Sequence, residues 1–460
     1  MLEADAMSDT EIRKSVWSAS QRLIRKRLAL LVARASVRAL RFFKLGQGQS
    51  LPGKIALRID PEILSELVRT IDVVLVSGTN GKTTTTALLA SGLERSGLTV
   101  TNAGGSNMTG GVVSALISGL RSHTRASFAA LEVDEIYLTP VARAVKPKAI
   151  ILLNLSRDQL DRTQEVRKIA RRWKSLLSEL PEVKVVANAD DPLIVFAASE
   201  VSDVTWVAGG ISWTEDSSGC PVCTGRITFS GGSWQCNCGF QRPEVTWFLS
   251  GDSVVTSPAG NIALELNIPG SFNVRNSLMA LAGCACVGVE AEIAKNGMTG
   301  VVSVSGRFQT YSLPGTDGSV MLTLAKNPAG WVELIAMVDS WMKDRAIVIG
   351  LNAKFADGKD PSWIWDVPFE IFRGHAVVVC GERATDMALR LRYAEAEALV
   401  VPDPYSAIVV ASKRKADVVV LANYTCFQRA RKDLETSGST ARIVRALFGI
   451  GGFLSIGGRI

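Results

Sequence analysis

Short apolar runs alternate with amphipathic stretches along most of the chain. Val73–Val76 is one such run, and Thr84–Glu94 behind it reads as a helix. Ala129–Val133 and Ala149–Leu153 are further apolar runs, and Val183–Ala187 repeats the pattern with Lys184 as its one interruption. Strands of this kind separated by helical stretches predict a parallel sheet with helices on both faces, an α/β domain over 51–301. The pattern breaks into an irregular, cysteine-containing stretch from about 210 to 246, and a helix over Asn273–Val287 follows. After Ser305-Gly306 a new series begins with Val320–Leu324, Ala346–Leu351, Ala376–Val379, Ala398–Val401 and Val418–Leu421. It predicts a second, smaller, Rossmann-like α/β domain over 302–460.

Ahead of these domains, residues 11–45 read as one basic helix. Trp17, Leu23, Ile24, Leu28, Leu31, Val32, Leu40 and Phe43 form a rough apolar stripe with Arg and Lys between them. Such a helix suits a membrane surface or an acidic partner, and it equally suits packing on its own protein with a solvated basic face. Gly46–Gly53 reads as a linker, so residues 1–50 stand as a helix and linker.

Charge sharpens this division. The 460 residues carry a formal net charge of +7. Ten Lys and Arg but only four acids fall in the first fifty residues, which therefore hold +6 of it. The remaining chain is close to neutral, which argues against a nucleic-acid binder with a basic face on its folded domains. Two histidines, His123 and His375, make a His-based metal site or a complete Ser-His-Asp triad within the chain an unfavoured expectation. No apolar run of about 18 residues occurs, and the first residues lack a signal-type apolar segment, so the expected location is the cytoplasm. The eight cysteines are then expected reduced or metal-bound.

The strongest chemical signal is Gly78-Thr79-Asn80-Gly81-Lys82-Thr83-Thr84, directly after the Val73–Val76 run. Glycines let backbone N–H groups converge on a phosphate, a following helix N-terminus adds its dipole, Lys82 reaches the terminal phosphates, and a Thr hydroxyl suits Mg²⁺. The first glycine of the usual eight-residue pattern is replaced by Val76. Kinases, ATPases and ATP-dependent ligases all need this device. Glu132, at the end of the second apolar run, is the favoured carboxylate for Mg²⁺, with Asp134 and Glu135 as competitors. A second signal is Cys220-Pro-Val-Cys223 followed by Cys236-Asn-Cys238-Gly239. Two close thiolate pairs at this separation suit a structural Zn²⁺ knuckle with no open position, the alternative being free thiols. Cys284, Cys286, Cys380 and Cys426 read as core residues.

Several motifs carry a resemblance. Ser77–Thr84, Asn188-Ala-Asp-Asp-Pro192 and Gly270-Ser-Phe-Asn-Val-Arg-Asn276 resemble three Mur ligase signatures in the expected order. Glu132-Val-Asp-Glu135, Arg157-Asp-Gln-Leu-Asp-Arg162, the four-cysteine insertion, Leu324-Ala-Lys-Asn-Pro-Ala-Gly330 and Ala356–Asp366 resemble, more narrowly, the MurT family. Members of that family are the synthetase subunits that work with GatD to amidate the α-carboxylate of D-glutamate in lipid II. The likeness runs from about residue 51 to about 430 and implies a Mur ligase-like central P-loop ATPase domain with a zinc-ribbon insertion.

It also implies roles. ATP would phosphorylate the carboxylate and ammonia would displace phosphate. Lys82 would hold the β and γ phosphates, Thr83 and Glu132 would serve Mg²⁺, and Asn273 and Asn276 would lie near adenine. Arg307 would contact nucleotide, and Lys326 and Asn327 would approach it from the C-terminal domain. Ammonia would come from a GatD-like glutamine amidotransferase in a heterodimer, with Asp360 completing its Cys-His triad. Read without the resemblance, Asn273 is a helix cap, Arg307 a surface ion pair and Asp360 a cap near Ser362. Departures from the family pattern are Asn352-Ala-Lys354, where a polar Asn-Asp-Asn-like stretch is expected, and Arg157 and Gln159, where Mur ligases carry an acid and a metal-binding His. Lys174 stands near the position of a carbamylated lysine in some of them. The competing functions are a folylpolyglutamate synthase-like amino acid ligase and a nucleotide-binding scaffold without catalysis. With lipid II as substrate, the basic N-terminal helix is expected to give peripheral contact with the inner face of the plasma membrane.

Overall fold

The computed structural model describes residues 24–37, 50–103, 106–120, 126–157, 163–302, 308–313, 317–339 and 342–448. Arg307, Gln159, His123 and most of the basic segment 11–45 lie outside them. The chain divides into two compact units, Met1–Ser156 with Gln164–Val302, and Arg157–Thr163 with Ser303–Ile460.

The first unit is built on β1 (Asp72–Ser77), β2 (Thr99–Thr101), β3 (Phe128–Glu132), β4 (Ala149–Leu152), β5 (Lys184–Asn188) and β6 (Val204–Ala208), with a hairpin of β7 (Ile227–Ser230) and β8 (Ser233–Cys236), then β9 (Trp247–Ser250), β10 (Val254–Ser257) and β11 (Gly260–Ala263). Its main sheet has the order β11-β10-β9-β6-β5-β4-β1-β3-β2. The six strands from β2 across to β6 run parallel, and β9 adds to β6 in parallel. Val73–Val76 are at most 2% exposed, because a parallel strand is covered on both faces and must be apolar throughout. The far edge departs from the all-parallel expectation: β9, β10 and β11 are antiparallel. Burial alternates along β9 and β10, so one face meets the core and the other meets water.

Helices α1 (24–37), α2 (Leu51–Ile59), α3 (Ile63–Val68), α4 (Lys82–Leu93), α5 (Thr109–Gly119), α6 (Leu138–Val145), α7 (Thr163–Ser178), α8 (Pro192–Ala198), α9 (Ser271–Cys286) and α10 (Ala291–Met298) accompany these strands. Ala29 and Ala33 of α1 are fully buried in the same core as Ile63, Leu75 and Leu131. The basic segment thus packs on its own domain over the part described.

The second unit carries β12 (Phe308–Ser312), β13 (Ser319–Leu324), β14 (Ala346–Gly350), β15 (Ala376–Cys380), β16 (Glu397–Val400) and β17 (Val418–Ala422), with α11 (Pro328–Asp339), α12 (Ala384–Tyr393), α13 (Pro404–Ser412) and α14 (Tyr424–Phe448). The order is β12-β13-β17-β14-β15-β16, parallel except for β12. The five apolar runs are β13 to β17. The half-exposed edge strand β12 has no apolar run to mark it. Because β17 lies between β13 and β14, the loops leaving β14 and β17 emerge side by side at the carboxyl ends of the strands, where α/β sheets place their functional residues.

Candidate active site

The glycine-rich loop occupies the turn from β1 to α4. Gly78 (φ 142°) and Gly81 (φ 85°) lie in the left-handed half of backbone space. A Cβ on Gly78 would sit 2.8 Å from Leu153 Cβ, and one on Gly81 would sit 2.5 Å from Asn276 Oδ1, so neither position admits a side chain. Val76 is a buried residue of β1 paired with Glu132 of β3, which explains the missing first glycine: the strand simply continues through it. Thr79 and Asn80 brace the loop. Thr79 Oγ1 donates to Ser156 O and accepts from Ser156 N, both at 3.0 Å. Asn80 N donates to Asn154 Oδ1 at 2.9 Å, and Asn154 Nδ2 returns a bond to Asn80 O at 3.1 Å. Lys82 is 8% exposed; its ammonium donates to the carbonyls of Gly78 and Thr79 and pairs with Glu135 at 3.2 Å. Thr83 is half-buried and Thr84 buried in the first turn of α4.

Beyond β3 the three acids separate cleanly. Asp134 Oδ1 accepts the N–H of Ile136 and so closes a turn. Glu135 pairs with Lys82, and its carbonyl is held by Trp173 Nε1 at 3.1 Å. Glu132 is 5% exposed, its Oε1 accepts from Asn107 Nδ2 at 3.2 Å, and its Oε2 is buried without a hydrogen-bond partner. Burying an unpartnered carboxylate oxygen is costly, so Glu132 is the acid with capacity left for a cation. Asn102 locks it in place: its Oδ1 accepts Glu132 N at 2.7 Å and its Nδ2 donates to Glu132 O at 2.8 Å.

Two of the sequence signatures turn out to be supports. Asn188 Nδ2 donates to Leu153 O at 2.8 Å, behind the phosphate loop. Asp191 caps α8 through Leu193 N and also accepts Leu155 N at 2.7 Å, and burial pushes its carboxyl up to about 6. Asp190 accepts the N–H groups of Gly209 and Gly210 and pairs with Arg242 at 2.8 Å. Gly209, Gly210 and Arg242 line a cavity of about 480 Å³ beside the start of α9, together with Phe248, Ser271 and Arg275. In the other signature Asn276 accepts from Thr85 Oγ1 at 3.3 Å, next to Gly81. Asn273, 1% exposed, is not the helix cap expected from its residue type. The helix begins earlier, at Ser271 behind Gly270, and Asn273 Nδ2 donates back to Pro269 O.

The four cysteines converge. Sγ atoms of Cys220, Cys223, Cys236 and Cys238 all lie within 4.8 Å of one another. Cys220–Cys238 is 3.7 Å and Cys223–Cys236 is 3.5 Å. A tetrahedron with metal–sulfur bonds of about 2.3 Å has edges of about 3.8 Å, so the donor set fits Zn²⁺. The N–H of Phe240, and after it the thiol of Cys223, pulls the Cys238 thiol down to about 7, while the hydrogen bonds the thiols share push Cys223 and Cys236 up. Trp234 roots the hairpin by donating Nε1 to Ala189 O at 2.9 Å.

In the second unit, Asp360 lies exposed on the loop after β14 and accepts Ser362 N at 2.8 Å. That bond holds its carboxyl below the usual range. The loop is anchored by Asp357, which accepts Thr425 N at 2.8 Å and the Thr425 hydroxyl, and by Asn352 and Asn423, which exchange two bonds. Asn352 therefore does the anchoring where a longer polar stretch was expected. Phe355, on the same loop, is 91% exposed. Lys326 stands 5.3 Å from the Tyr424 ring centre, and Asn327 Oδ1 accepts Gly330 N in the first turn of α11, the geometry of a helix cap. Arg157 pairs with Asp366 at 2.9 Å. In the first unit Lys174 pairs with Glu200 at 3.1 Å, over the Phe196 ring. His375 is half-buried, its ring nitrogen 3.1 Å from Arg373 O.

Comparison with known proteins agrees with this arrangement. The Mur ligase middle-domain model matches residues 76–284, and the MurT ligase C-terminal model matches residues 324–427. The chain is 31% identical to the lipid II isoglutaminyl synthase (glutamine-hydrolyzing) subunit MurT of Staphylococcus aureus, over 85% of this chain and 94% of that protein. Its identity to the Streptococcus pneumoniae subunit of that name is 30%, over 79% and 86%. Among solved structures, a pseudomurein peptide ligase type C from Methanothermus fervidus superimposes with a TM-score of 0.62 at 18% identity, covering 82% of this chain and 81% of that one. The last likeness is one of fold. The extended match to both subunits, together with the two family models, shows that the chain belongs to the MurT family of Mur ligase-type enzymes.

Proposed function

We propose that the chain is the ATP-dependent synthetase half of an amidating enzyme that converts the α-carboxylate of D-glutamate in lipid II to the carboxamide of D-isoglutamine. A carboxylate oxygen attacks the γ-phosphorus of ATP, the bond to the β-phosphate oxygen breaks, and ADP leaves. Ammonia then attacks the acyl carbon of the acyl phosphate, the carbon–oxygen bond to phosphate breaks, and the nitrogen loses a proton. The phosphate loop, through Gly78–Thr84, holds the triphosphate, with Lys82 neutralising the charge that builds on it. Asn273, Asn276, Arg307, Lys326 and Asn327 are assigned to the nucleotide by family likeness. The observation that carries the catalytic reading is Glu132, whose buried, unpartnered Oε2 stands one strand from the phosphate loop. Glu132 and Thr83 would hold Mg²⁺, which supplies charge neutralisation at the phosphates. Zn²⁺ on Cys220, Cys223, Cys236 and Cys238 would be structural, since all four positions are filled by thiolate.

Ammonia is released from glutamine by a partner. Glutaminase chemistry needs a thiolate beside an imidazole, and among the described residues no hydrogen bond joins a cysteine to an imidazole. A GatD-like subunit brings both groups, and Asp360 orients the imidazole. Support comes from the carboxylate's exposure, its lowered pKa and the rigid anchoring of its loop. The neighbouring Phe355 and the 49%-exposed Trp365 offer apolar surface to that partner. Lipid II is met at the inner, cytoplasmic face of the membrane.

The test is Asp360→Asn in the purified complex. Glutamine-driven amidation falls at least about a hundredfold, the scale expected when a triad loses its orienting acid, while amidation with added ammonium salt persists. Loss of both activities would contradict the assignment of Asp360.

A further inference from the structure

Helix α1 is built the wrong way round for a soluble protein. With 100° per residue, Ile24, Leu28, Leu31 and Ala35 share one face. That face points outward: Ile24 is 65% exposed, Leu28 50% and Leu31 67%. Ala29 and Ala33 take the inward face, fully buried, with Leu30 partly buried against the same core. The orientation is fixed by an ion pair from Lys26 to Glu66 at 3.0 Å and by Arg34 Nη2 donating to Leu120 O at 3.5 Å. Arg25 lies on one side of the apolar stripe and Arg27 and Arg34 on the other, and residues 24–37 contain no acid. A row of large apolar side chains held in water, framed by cations on a rigidly mounted helix, calls for an occupant that is apolar at its centre and anionic at its rim.

We infer that the outer face of α1 docks on an anionic lipid bilayer. The aliphatic stripe inserts at the level of the headgroups while Arg25 and Arg27 meet lipid phosphates, each worth a separate electrostatic increment that salt weakens. A second copy of the chain fits less well, because a two-fold contact would set the same cations against each other. Among the described residues no helix is long and apolar enough to cross a membrane, so this is attachment without spanning. The inference stands apart from the amidation reading, and its test measures lipid binding rather than turnover, so each can fail alone.

The full-length chain is sedimented with vesicles of phosphatidylcholine alone or mixed with phosphatidylglycerol. The parent binds the anionic vesicles, releases them at high salt and ignores the neutral ones. A Leu28→Ser, Leu31→Ser double variant, altered only at exposed positions, binds at least about tenfold more weakly, and Arg25→Glu with Arg27→Glu does the same. An unchanged melting temperature shows that the fold is intact. Equal vesicle binding by parent and variants overturns the inference. So does a parent that binds no vesicle, or one whose variants lose self-association or partner binding while their lipid affinity is unchanged.

Discussion

At the scale of single residues, the site separates groups assigned to phosphate or metal in the proposed reaction from groups that hold them in place. The loop glycines, Lys82 and the Glu132 carboxylate are legible in the sequence because their chemistry is tied to residue type and to a strand-loop-helix context. Asn102, Asn107, Asn154 and Ser156 are not, since a polar residue in a loop gives no sign of a partner far along the chain; Asn80 and Asn154 meet across 74 positions. The same blindness affects Asn188-Ala-Asp-Asp-Pro192, recognisable as a motif but understandable only once Asp190 and Asp191 are seen gripping backbone N–H groups. Asn107 offers a measurable consequence. It is the one donor to the Glu132 side chain among the described residues. Asn107→Ala is expected to raise the Mg²⁺ concentration for half-maximal ATP turnover by about tenfold, the usual penalty for removing a hydrogen bond behind a metal ligand. The KM for ATP at saturating Mg²⁺ stays near the parent value. A Mg²⁺ dependence identical to the parent's would show that Asn107 does not position Glu132.

Among elements, buried parallel strands announce themselves through continuous apolar runs, and β1, β3, β4, β5, β13, β14, β15 and β17 all do so. The exposed edge strand β16 carries such a run as well, but the other edge strands do not. β9 to β12 are short and half-exposed, and their burial patterns give too few apolar positions to stand out. In α1 the apolar stripe is visible in the sequence, but its outward direction is not, because periodicity marks a face without saying what covers it. The cysteine hairpin is the reverse case. Its cysteine spacing is legible, and the structure adds that two of the four clustered cysteines, Cys220 and Cys236, belong to a small core with Val195, Ile227 and Trp234. Cys223 and Cys238 are exposed, so replacing them leaves no cavity. The parent is expected to hold about one zinc per chain, the stoichiometry of a four-thiolate site, measured by elemental analysis. Cys223→Ser with Cys238→Ser is expected to lose it and to lower the melting temperature by several degrees. A parent free of zinc, or a variant that retains it, would remove the metal from the account.

For the whole molecule, two units carry two tasks. The first holds the phosphate loop, Glu132, the cysteine hairpin and the outward face of α1. The second presents an anchored loop with an ionised Asp360 beside exposed aromatic side chains. Scarcity of histidine fits the proposed division of labour: with two histidines in the sequence, and no hydrogen bond between a cysteine and an imidazole among the described residues, the proposed amidation takes its ammonia from a partner. The direct measurement is mass spectrometry of lipid II after incubation with the purified chain, a GatD-like glutaminase, ATP, Mg²⁺ and glutamine. The account predicts conversion of carboxyl to carboxamide, one ADP formed per amide, and no conversion with Lys82→Ala. A complex that hydrolyses ATP and glutamine but leaves the mass of lipid II unchanged would contradict it.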